Sequence, residues 1–380
     1  MGTIQTIEDL RRLARRRLPR AVFDFIDGGA GLEHTLRRNQ TVFEDVRLVP
    51  RVLAPCVTRD LTTRLLGADY GAPFGVSPMG LGNLAWPGTD EALVRACAAA
   101  RIPYGLSMAG SSTVERVAEL GGPFSWFQVY LTADQQVMLD CMQRAARAGV
   151  DTLVMTVDAA HPSRRLRNYR NGFGQSFLRH PWLIADYALH PNWSLRMLAG
   201  GAPVMANLVA ETGDAAGGHP ALRLMQSMTR APLDWDALAL VRAQWRGKLL
   251  VKGVLDPRDA VRIQAAGADG IIVSNHGGRQ LESAVTSLEV LPAVRAAVGP
   301  DYPLLLDSGV RSGGDVAKAL VLGADFVLLG RPFLFASAAL GPQAGADTVI
   351  ALLRAELDDT MAQTGCACIA DLNTDRLWKP

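Results

Sequence analysis

Apolar residues along the chain fall into two rhythms that take turns. Segments with apolar positions at helical spacing close on Gly-Val-Asp or Gly-Ala-Asp and pass at once into a short unbroken apolar run. The pattern reads Gly149-Val150-Asp151 before LVMTVD, Gly267-Ala268-Asp269 before IIVSN and Gly323-Ala324-Asp325 before VLLGR. Glycine supplies the left-handed residue that ends a helix. An apolar run that is continuous rather than alternating reads as a strand buried on both faces. Helix, tight turn and buried strand in repetition predict a parallel sheet.

Eight such strands are expected, at residues 73–79, 103–108, 125–130, 152–158, 248–253, 270–275, 303–309 and 326–331. Amphipathic helices are expected between them, among them Asp90–Ala100, Asp134–Ala148, Pro257–Ala266 and Gly313–Leu322, with another at Ala346–Thr364. This order predicts an α/β fold, a closed (β/α)8 TIM barrel, with an open doubly wound sheet as the rival. Within a single domain spanning 1–380, residues 1–70 are expected to form a helical cap and a short hairpin, and 71–365 the barrel. The connection after the fourth strand, 159–230, is far longer than one helix and its turns require. A connection of that length either has a function of its own or is partly disordered.

Composition narrows the classes. Of 380 residues, 49% are hydrophobic and 20% charged, which is ordinary globular chemistry. A net charge of +2 gives no reason to expect attraction to nucleic acid. The five cysteines lack a CxxC pair and metal-ligand spacing, so no metal and a reducing compartment are expected, with Cys366 and Cys368 free. The first twenty residues are polar and arginine-rich, and no apolar stretch is long enough to span a bilayer. The expectation is a cytoplasmic protein. Met1-Gly2-Thr3-Ile4-Gln5-Thr6 fits the loose myristoylation pattern, which chance matches often.

One local imbalance changes this picture. Between Arg164 and Gly200 stand Arg164, Arg165, Arg167, Arg170, Arg179 and Arg196 against a lone Asp186. Phe173, Phe177, Trp182, Leu183, Ile184, Tyr187 and Trp193 are interleaved with them. Such a mixture reads as a surface that meets anionic lipid on the inner face of the cell membrane. A lid or an oligomer contact is the alternative.

In barrels, functional groups gather at the C-terminal ends of the strands. Those ends carry Met79 and Gly80, Ser107, Gln128 and Tyr130, Thr156 and Asp158, and Lys252. Ser274 precedes Asn275-His276-Gly277-Gly278-Arg279, Asp307 precedes Gly309 and Arg311, and the last strand ends on Gly330-Arg331. Glycines and arginines after the last two strands can cradle a phosphate with backbone amides and fixed positive charge. His276 follows a buried strand, with glycines that admit a ligand and Arg279 close behind. An imidazole that titrates near neutrality suits proton abstraction, and Asp158 can pair with the imidazolium. Singly, each residue has a bland reading as a solvated turn or a satisfied structural group. Their joint placement argues for a site. Lys252 also admits the Schiff-base lysine of a barrel aldolase, which leaves Gln128 and Arg279 beside His276 without a role. A non-catalytic scaffold or membrane-surface module is the other rival.

SNHGGRQ, TVD followed by Arg165, QVY, VKG and DSGVRSGGD…GADFVLLGRP together resemble the motif set of the FMN-dependent L-2-hydroxy-acid oxidase and dehydrogenase family. The resemblance implies an FMN enzyme that oxidises an L-(S)-2-hydroxy acid to the 2-oxo acid. It implies His276 as the base with Asp158 behind it, and Arg165 and Arg279 gripping the substrate carboxylate. Tyr130 would bond the substrate oxygen, and Lys252 would stabilise the reduced flavin. FMN would lie against Pro78, Met79, Gly80, Ser107, Gln128, Thr156 and Ser274. Its ribityl-phosphate end would meet Asp307, Gly309, Arg311, Gly330 and Arg331. An electron acceptor (a quinone, oxygen or another carrier) and a homo-oligomer, a tetramer, are implied as well.

The sequence departs from the family pattern at Phe25, where many members place a tyrosine that donates to the carboxylate. Without that hydroxyl, carboxylate recognition rests on the two arginines and Tyr130, and one lost charged hydrogen bond costs roughly 1.5–3 kcal/mol. Gly80 and Ala109 leave room for a ring; Ala109 stands where glycolate oxidases carry a tryptophan. Both positions, with the segment 190–208, resemble the mandelate dehydrogenase branch, which uses its long fourth connection for membrane association. Mandelate or another aromatic or bulky acid is therefore the expected substrate. Lactate or another aliphatic 2-hydroxy acid is the alternative.

Overall fold

A computed structural model describes residues 4–54, 56–159, 161–174, 180–201, 203–208 and 233–378. The myristoylation pattern's first three residues, Phe177, Arg179 and the stretch 209–232 lie outside the described residues.

A short antiparallel hairpin, β1 (Thr63–Leu65) and β2 (Ala68–Tyr70), precedes the sheet. Eight parallel strands follow: β3 (Phe74–Met79), β4 (Tyr104–Ser107), β5 (Ser125–Tyr130), β6 (Thr152–Thr156), β7 (Lys248–Val254), β8 (Gly270–Val273), β9 (Leu304–Leu306) and β10 (Phe326–Leu329). They close on themselves in the order β10-β3-β4-β5-β6-β7-β8-β9, which makes the fold a (β/α)8 barrel and removes the open-sheet rival.

The unbroken apolar runs have a simple cause. Successive side chains of a strand point to opposite faces. Trp126, Val154, Leu250, Ile272, Leu305 and Phe326 fill the barrel interior, while their neighbours Phe127, Leu153, Met155, Leu249 and Ile271 pack outward against the helices. The hairpin closes the N-terminal end of the barrel. Tyr70 sets its ring edge-on to Phe326 at 5.4 Å and to Trp126 at 6.2 Å. Buried aromatic edges of this kind add directional attraction to the area they bury.

The glycines of the repeated motif end their helices as expected, with φ of 82° at Gly149, 81° at Gly267 and 108° at Gly323. The motif aspartates do more than turn the chain. Asp269 Oδ2 accepts from Leu249 N (2.9 Å) and Asp325 Oδ2 from Leu304 N (2.8 Å), so each pins the start of a neighbouring strand.

Several strands stop short of their expected ends. β6 ends at Thr156 rather than 158, β8 at Val273 rather than 275, and β9 at Leu306 rather than 309. The residues beyond them bend away to build the site. His276, Ser308 and Gly309 adopt positive φ of 58°, 82° and 98°, which no ladder accommodates. The C-terminal helix starts earlier than expected, at Pro342 instead of Ala346, because Gly341 and Pro342 form its natural entry.

Helices Ile7–Arg17, Arg20–Asp27 and His34–Thr41 form the N-terminal cap. The long connection carries helices Leu166–Asn171, Trp182–Ala188 and Pro191–Gly200 in its described part.

Candidate active site

The inner face of the barrel changes chemistry two residues beyond its apolar filling. Trp126 gives way to Gln128 and Tyr130, Val154 to Thr156 and Asp158, Leu250 to Lys252, Ile272 to Ser274, Leu305 to Asp307, and Leu328 to Gly330. Because the side-chain period of a strand is two, each polar residue continues the inward row begun by its apolar predecessor. Strand register then sets them side by side, with Ser107 opposite Gln128, Tyr130 opposite Thr156, and Thr156 opposite Lys252.

His276 lies in a tight turn after β8, its Nδ1 2.9 Å from Asp158 Oδ1. Burial opposes ionisation of Asp158, but the charge and hydrogen bond of His276 outweigh it and hold the carboxyl below its usual range. An ionised Asp158 makes Nδ1 the protonated nitrogen of a neutral imidazole, which leaves Nε2 to accept a proton. Burial, together with the charges of Lys252 and Arg165, pushes His276 below its usual value despite Asp158. The neutral imidazole is thus favoured, with Nε2 as its unprotonated nitrogen.

Asp158 reaches this position because of Gly253, which sits in a bulge where β7 slips against β8. Its φ is 107°, and a Cβ there would stand 2.6 Å from Asp158 Cγ. Three successive amides fix the turn of His276 itself. His276 N donates to Ser274 Oγ (3.0 Å), Gly277 N to Ser308 Oγ (2.9 Å) and Gly278 N to Asn275 Oδ1 (3.0 Å).

Lys252 is buried and held between Ser274 Oγ (2.9 Å) and Asp307 Oδ2 (3.2 Å). Burial alone would favour the neutral amine, yet the charge of Asp307 wins and the ammonium is retained above its usual pKa. A Schiff-base nucleophile needs the opposite shift, so the aldolase reading fails here. Asp307 also accepts from Ser77 Oγ and Ser308 Oγ, each at 2.9 Å. On the neighbouring strands β4 and β5, Ser107 donates to Gln128 Oε1 at 2.6 Å, while Gln128 Nε2 is buried and has no hydrogen-bond partner among the described residues. A buried amide donor left open points to a ligand acceptor.

Four arginines line the same mouth: Arg165, Arg279, Arg311 and Arg331. None of them forms an ion pair among the described residues; their hydrogen bonds go to Ser163 Oγ and to backbone carbonyls. Burial lowers all four guanidinium pKa values, and repulsion by neighbouring members of the set adds to it at Arg279 and Arg331; Arg311 is held down to about 10 and Arg331 to about 9. Uncompensated cations gathered at one place are a site for anions. The two helix starts expected to cradle phosphate are engaged to different degrees. The helix Gly313–Val321 spends its first amides on its own Ser312–Asp315 capping box and on Glu356. The helix Arg331–Leu340 has no side-chain cap at Gly330.

The pocket wall comes from β3 and β4. β3 bulges between Val76 and Met79, around Pro78, which has no amide to give the ladder. Gly80 and Ala109 face one another directly: a Cβ on Gly80 would meet Ala109 Cβ at 3.2 Å. Phe25 lacks a hydroxyl but is not idle. Its carbonyl accepts from Arg279 Nη1 (2.9 Å), and its ring lies 5.3 Å from that guanidinium and stacks on Phe173 at 4.4 Å.

The cationic reading of the long connection needs correction. Arg167 is tied to Asp27 Oδ2 (2.8 Å) and Glu33 Oε2 (2.6 Å) in the cap, and Arg165 faces the site. Arg164, Arg170 and Arg196 are exposed. Two expected anchors turn inward: Leu183 is buried, and Trp193 is buried with its Nε1 donating to Leu84 O (3.0 Å). Trp182 and Ile184 are exposed, joined by Leu189, Leu195 and Leu198. Among the described residues no helix is long and apolar enough to cross a membrane.

Sequence reasoning missed the parts played by Ser77, Gly253, Asn275 and Ser308, although all four stand within motifs or strands it had marked. Asn39 it missed altogether, since nothing local distinguishes a polar residue on a polar helix.

Comparison with known proteins agrees with this geometry. Residues 14–379 match the FMN-dependent dehydrogenase family. The chain is 40% identical to the (S)-mandelate dehydrogenase of Pseudomonas putida, over 98% of this chain and 93% of that protein. It is 39% identical to an L-lactate dehydrogenase of Xanthomonas axonopodis pv. citri, over 98% and 96%. A crystal structure of (S)-mandelate dehydrogenase, described as a monotopic membrane protein, superposes with a TM-score of 0.94 at 38% identity, covering all of both chains. A mandelate oxidase crystallised with (S)-2-phenylpropionate superposes at 0.83 with 35% identity, over 99% and 98% of the two chains. The barrel, its ring of inward polar groups and these matches make the chain a member of the FMN-dependent dehydrogenase family, an oxidoreductase that uses FMN to oxidise 2-hydroxy acids.

Proposed function

We propose that this enzyme oxidises an (S)-2-hydroxy acid with an aromatic or similarly bulky side chain, of which mandelate is the model, to the 2-oxo acid. The observation that carries the substrate reading is the Gly80–Ala109 contact, two small residues that meet at the ends of β3 and β4 and leave that wall without bulk. The open Gln128 Nε2, the retained Lys252 ammonium and the unpaired arginines fit the cofactor. Gln128, Ser107, Thr156, Ser274, Pro78, Met79 and Gly80 would hold the ring. Asp307, Gly309, Arg311, Gly330 and Arg331 would hold the ribityl-phosphate end.

When bound, FMN supplies the acceptor for the two electrons of the substrate's C–H bond. The chain's own residues do the rest. Arg165 and Arg279 bind the carboxylate, for which planar guanidinium forks are suited and for which they have no internal rival. Tyr130, kept protonated by burial, offers its O–H to a substrate oxygen. His276 Nε2 takes a proton, and Asp158 stabilises the imidazolium that results. Lys252 holds positive charge at the barrel centre, where the reduced cofactor would carry negative charge.

The exposed apolar residues of helices Trp182–Ala188 and Pro191–Gly200 support peripheral attachment to a membrane surface, through Trp182, Ile184, Leu189, Leu195 and Leu198. A quinone, oxygen or another carrier would re-oxidise the enzyme. The test of the substrate reading is anaerobic flavin reduction by (S)-mandelate, L-lactate and (R)-mandelate. Higher kcat/KM for (S)-mandelate than for L-lactate is expected, with the R enantiomer inert. Gly80→Ala should lower the mandelate-to-lactate ratio by pressing on Ala109. A preference for lactate assigns the enzyme to aliphatic acids instead.

A further inference from the structure

We infer that Asn39, in the N-terminal cap, is a positioning residue for His276. The inference deepens the proposed function, since it takes His276 to be the base.

Asn39 and Asn275 are both buried and exchange two hydrogen bonds. Asn39 Nδ2 donates to Asn275 Oδ1 at 2.8 Å, and Asn275 Nδ2 donates to Asn39 Oδ1 at 2.6 Å. The Asn275 amide is then complete, because its oxygen also accepts from Gly278 N (3.0 Å) and its nitrogen also donates to Val285 O (3.2 Å). A carboxamide offers two donors and two acceptor sites, and all four are used. Its orientation is therefore set. Turning it over would put its NH2 against the Gly278 amide and its oxygen against the Val285 carbonyl.

What this orientation controls is the turn of His276. The base is a non-glycine residue at φ 58°, a conformation that persists only when its surroundings impose it. Of the three amides that fix the turn, two are caught by Ser274 and Ser308, which are neighbours on the barrel rim. The third, Gly278 N, is caught by Asn275, whose own side chain answers to Asn39 on a separate element. That helix is pressed onto the turn by glycine contacts. A Cβ on Gly278 would stand 2.7 Å from Leu36 N, and Ala30 N donates to Gly278 O at 2.9 Å. The cap is thereby a template for the base as well as a cover. Around the imidazole, Asp158 comes from the end of β6, Lys252 from β7 and Arg165 from the following connection, and a shifted turn changes its distance from each.

The experiment uses FMN-loaded, full-length Asn39→Ala, Asn39→Asp and His276→Ala, measured by anaerobic flavin reduction across pH and by flavin absorption and melting temperature. Asn39→Ala is expected to keep its flavin and to reduce it about 10- to 100-fold more slowly, the scale on which small misplacements act. The acidic limb of its pH profile should move to lower pH, because His276 loses alignment with the carboxylate that raises its pKa. In Asn39→Asp a protonated carboxyl offers one donor and one acceptor, as the amide does, so its rate relative to wild type should rise as pH falls. A wild-type rate in Asn39→Ala overturns the inference. So does a slow Asn39→Ala with an unshifted limb and no acid rescue in Asn39→Asp, which assigns Asn39 to packing. Should Asn39→Ala not fold, the acid rescue of Asn39→Asp decides alone. If His276→Ala reduces flavin at a near-normal rate, the assignment of the base falls; if it is slow while the Asn39 variants are normal, only the present inference does.

Discussion

Asp158 occupies space that Gly253 leaves free: a Cβ on Gly253 would stand 2.6 Å from both the Cβ and the Cγ of Asp158. Gly253 belongs to β7 and Asp158 follows the adjacent β6, and the bulge that gives Gly253 its φ of 107° leaves the carboxylate its place beside His276. Gly253→Ala is expected to displace Asp158, slow flavin reduction at least about tenfold and cost roughly 1–3 kcal/mol in backbone strain. Its pH profile should shift in the same direction as that of Asp158→Asn, with the acidic limb at lower pH. Stopped-flow reduction and thermal melting check both parts. A Gly253→Ala enzyme with normal rate and unshifted limb contradicts the arrangement.

Asp90 makes a separate prediction about stability. It is 1% exposed, accepts from Ser111 N (2.6 Å) and Tyr104 Oη (3.1 Å), and ties together the turns that carry Gly80 and Ala109. Burial raises its carboxyl to about 6, and among the described residues no cation pairs with it. The folded pKa lies above the unfolded value, so the native state holds a proton that the unfolded chain releases. Stability therefore falls as pH rises between the two values. Relative to Asp90→Asn, the wild-type enzyme should lose about 2 kcal/mol on going from about pH 4 to about pH 7. Urea unfolding at the two pH values measures it, and a difference independent of pH contradicts it.

The proposed membrane surface can be tested without touching the active site. Leu195 and Leu198 are 64% and 80% exposed on one helix, and Trp182 and Ile184 on the preceding one. The intact enzyme should sediment with anionic vesicles, and Leu195→Asp with Leu198→Asp should abolish this while leaving flavin reduction unchanged. Salt should weaken binding only in part, because Arg165 and Arg167 are engaged elsewhere and exposed charges alone are screened. If the wild-type protein ignores anionic vesicles at low salt, the helices serve another contact.

Much of this was legible in the sequence, for physical reasons. The strands announced themselves because both their faces are buried, as at Leu153, Val154 and Met155. Their functional ends were visible because a polar residue stands out where an apolar run stops, as Lys252 and Asp307 do. The motif glycines were readable as helix ends because their backbone requires it. Long-range pairing was not readable. Arg167 looked like surface charge until its three acidic partners, Asp24, Asp27 and Glu33, were seen in the cap. Trp193 looked like a lipid anchor until its indole was found bonded to Leu84. Asn39 and Asn275 are 236 positions apart, and no local pattern joins them. Strand ends were overestimated because the site residues keep apolar neighbours while leaving the ladder.

The central claim is that His276, backed by Asp158, removes the substrate's proton. It is tested most directly by mixing FMN-loaded His276→Ala with (S)-mandelate under anaerobic conditions and following the flavin absorption. The variant is expected to stay yellow and bind its cofactor normally, yet to reduce it ~10²–10⁴-fold more slowly than wild type. Reduction at a rate within a few-fold of wild type would contradict the account and place the base elsewhere in the barrel mouth.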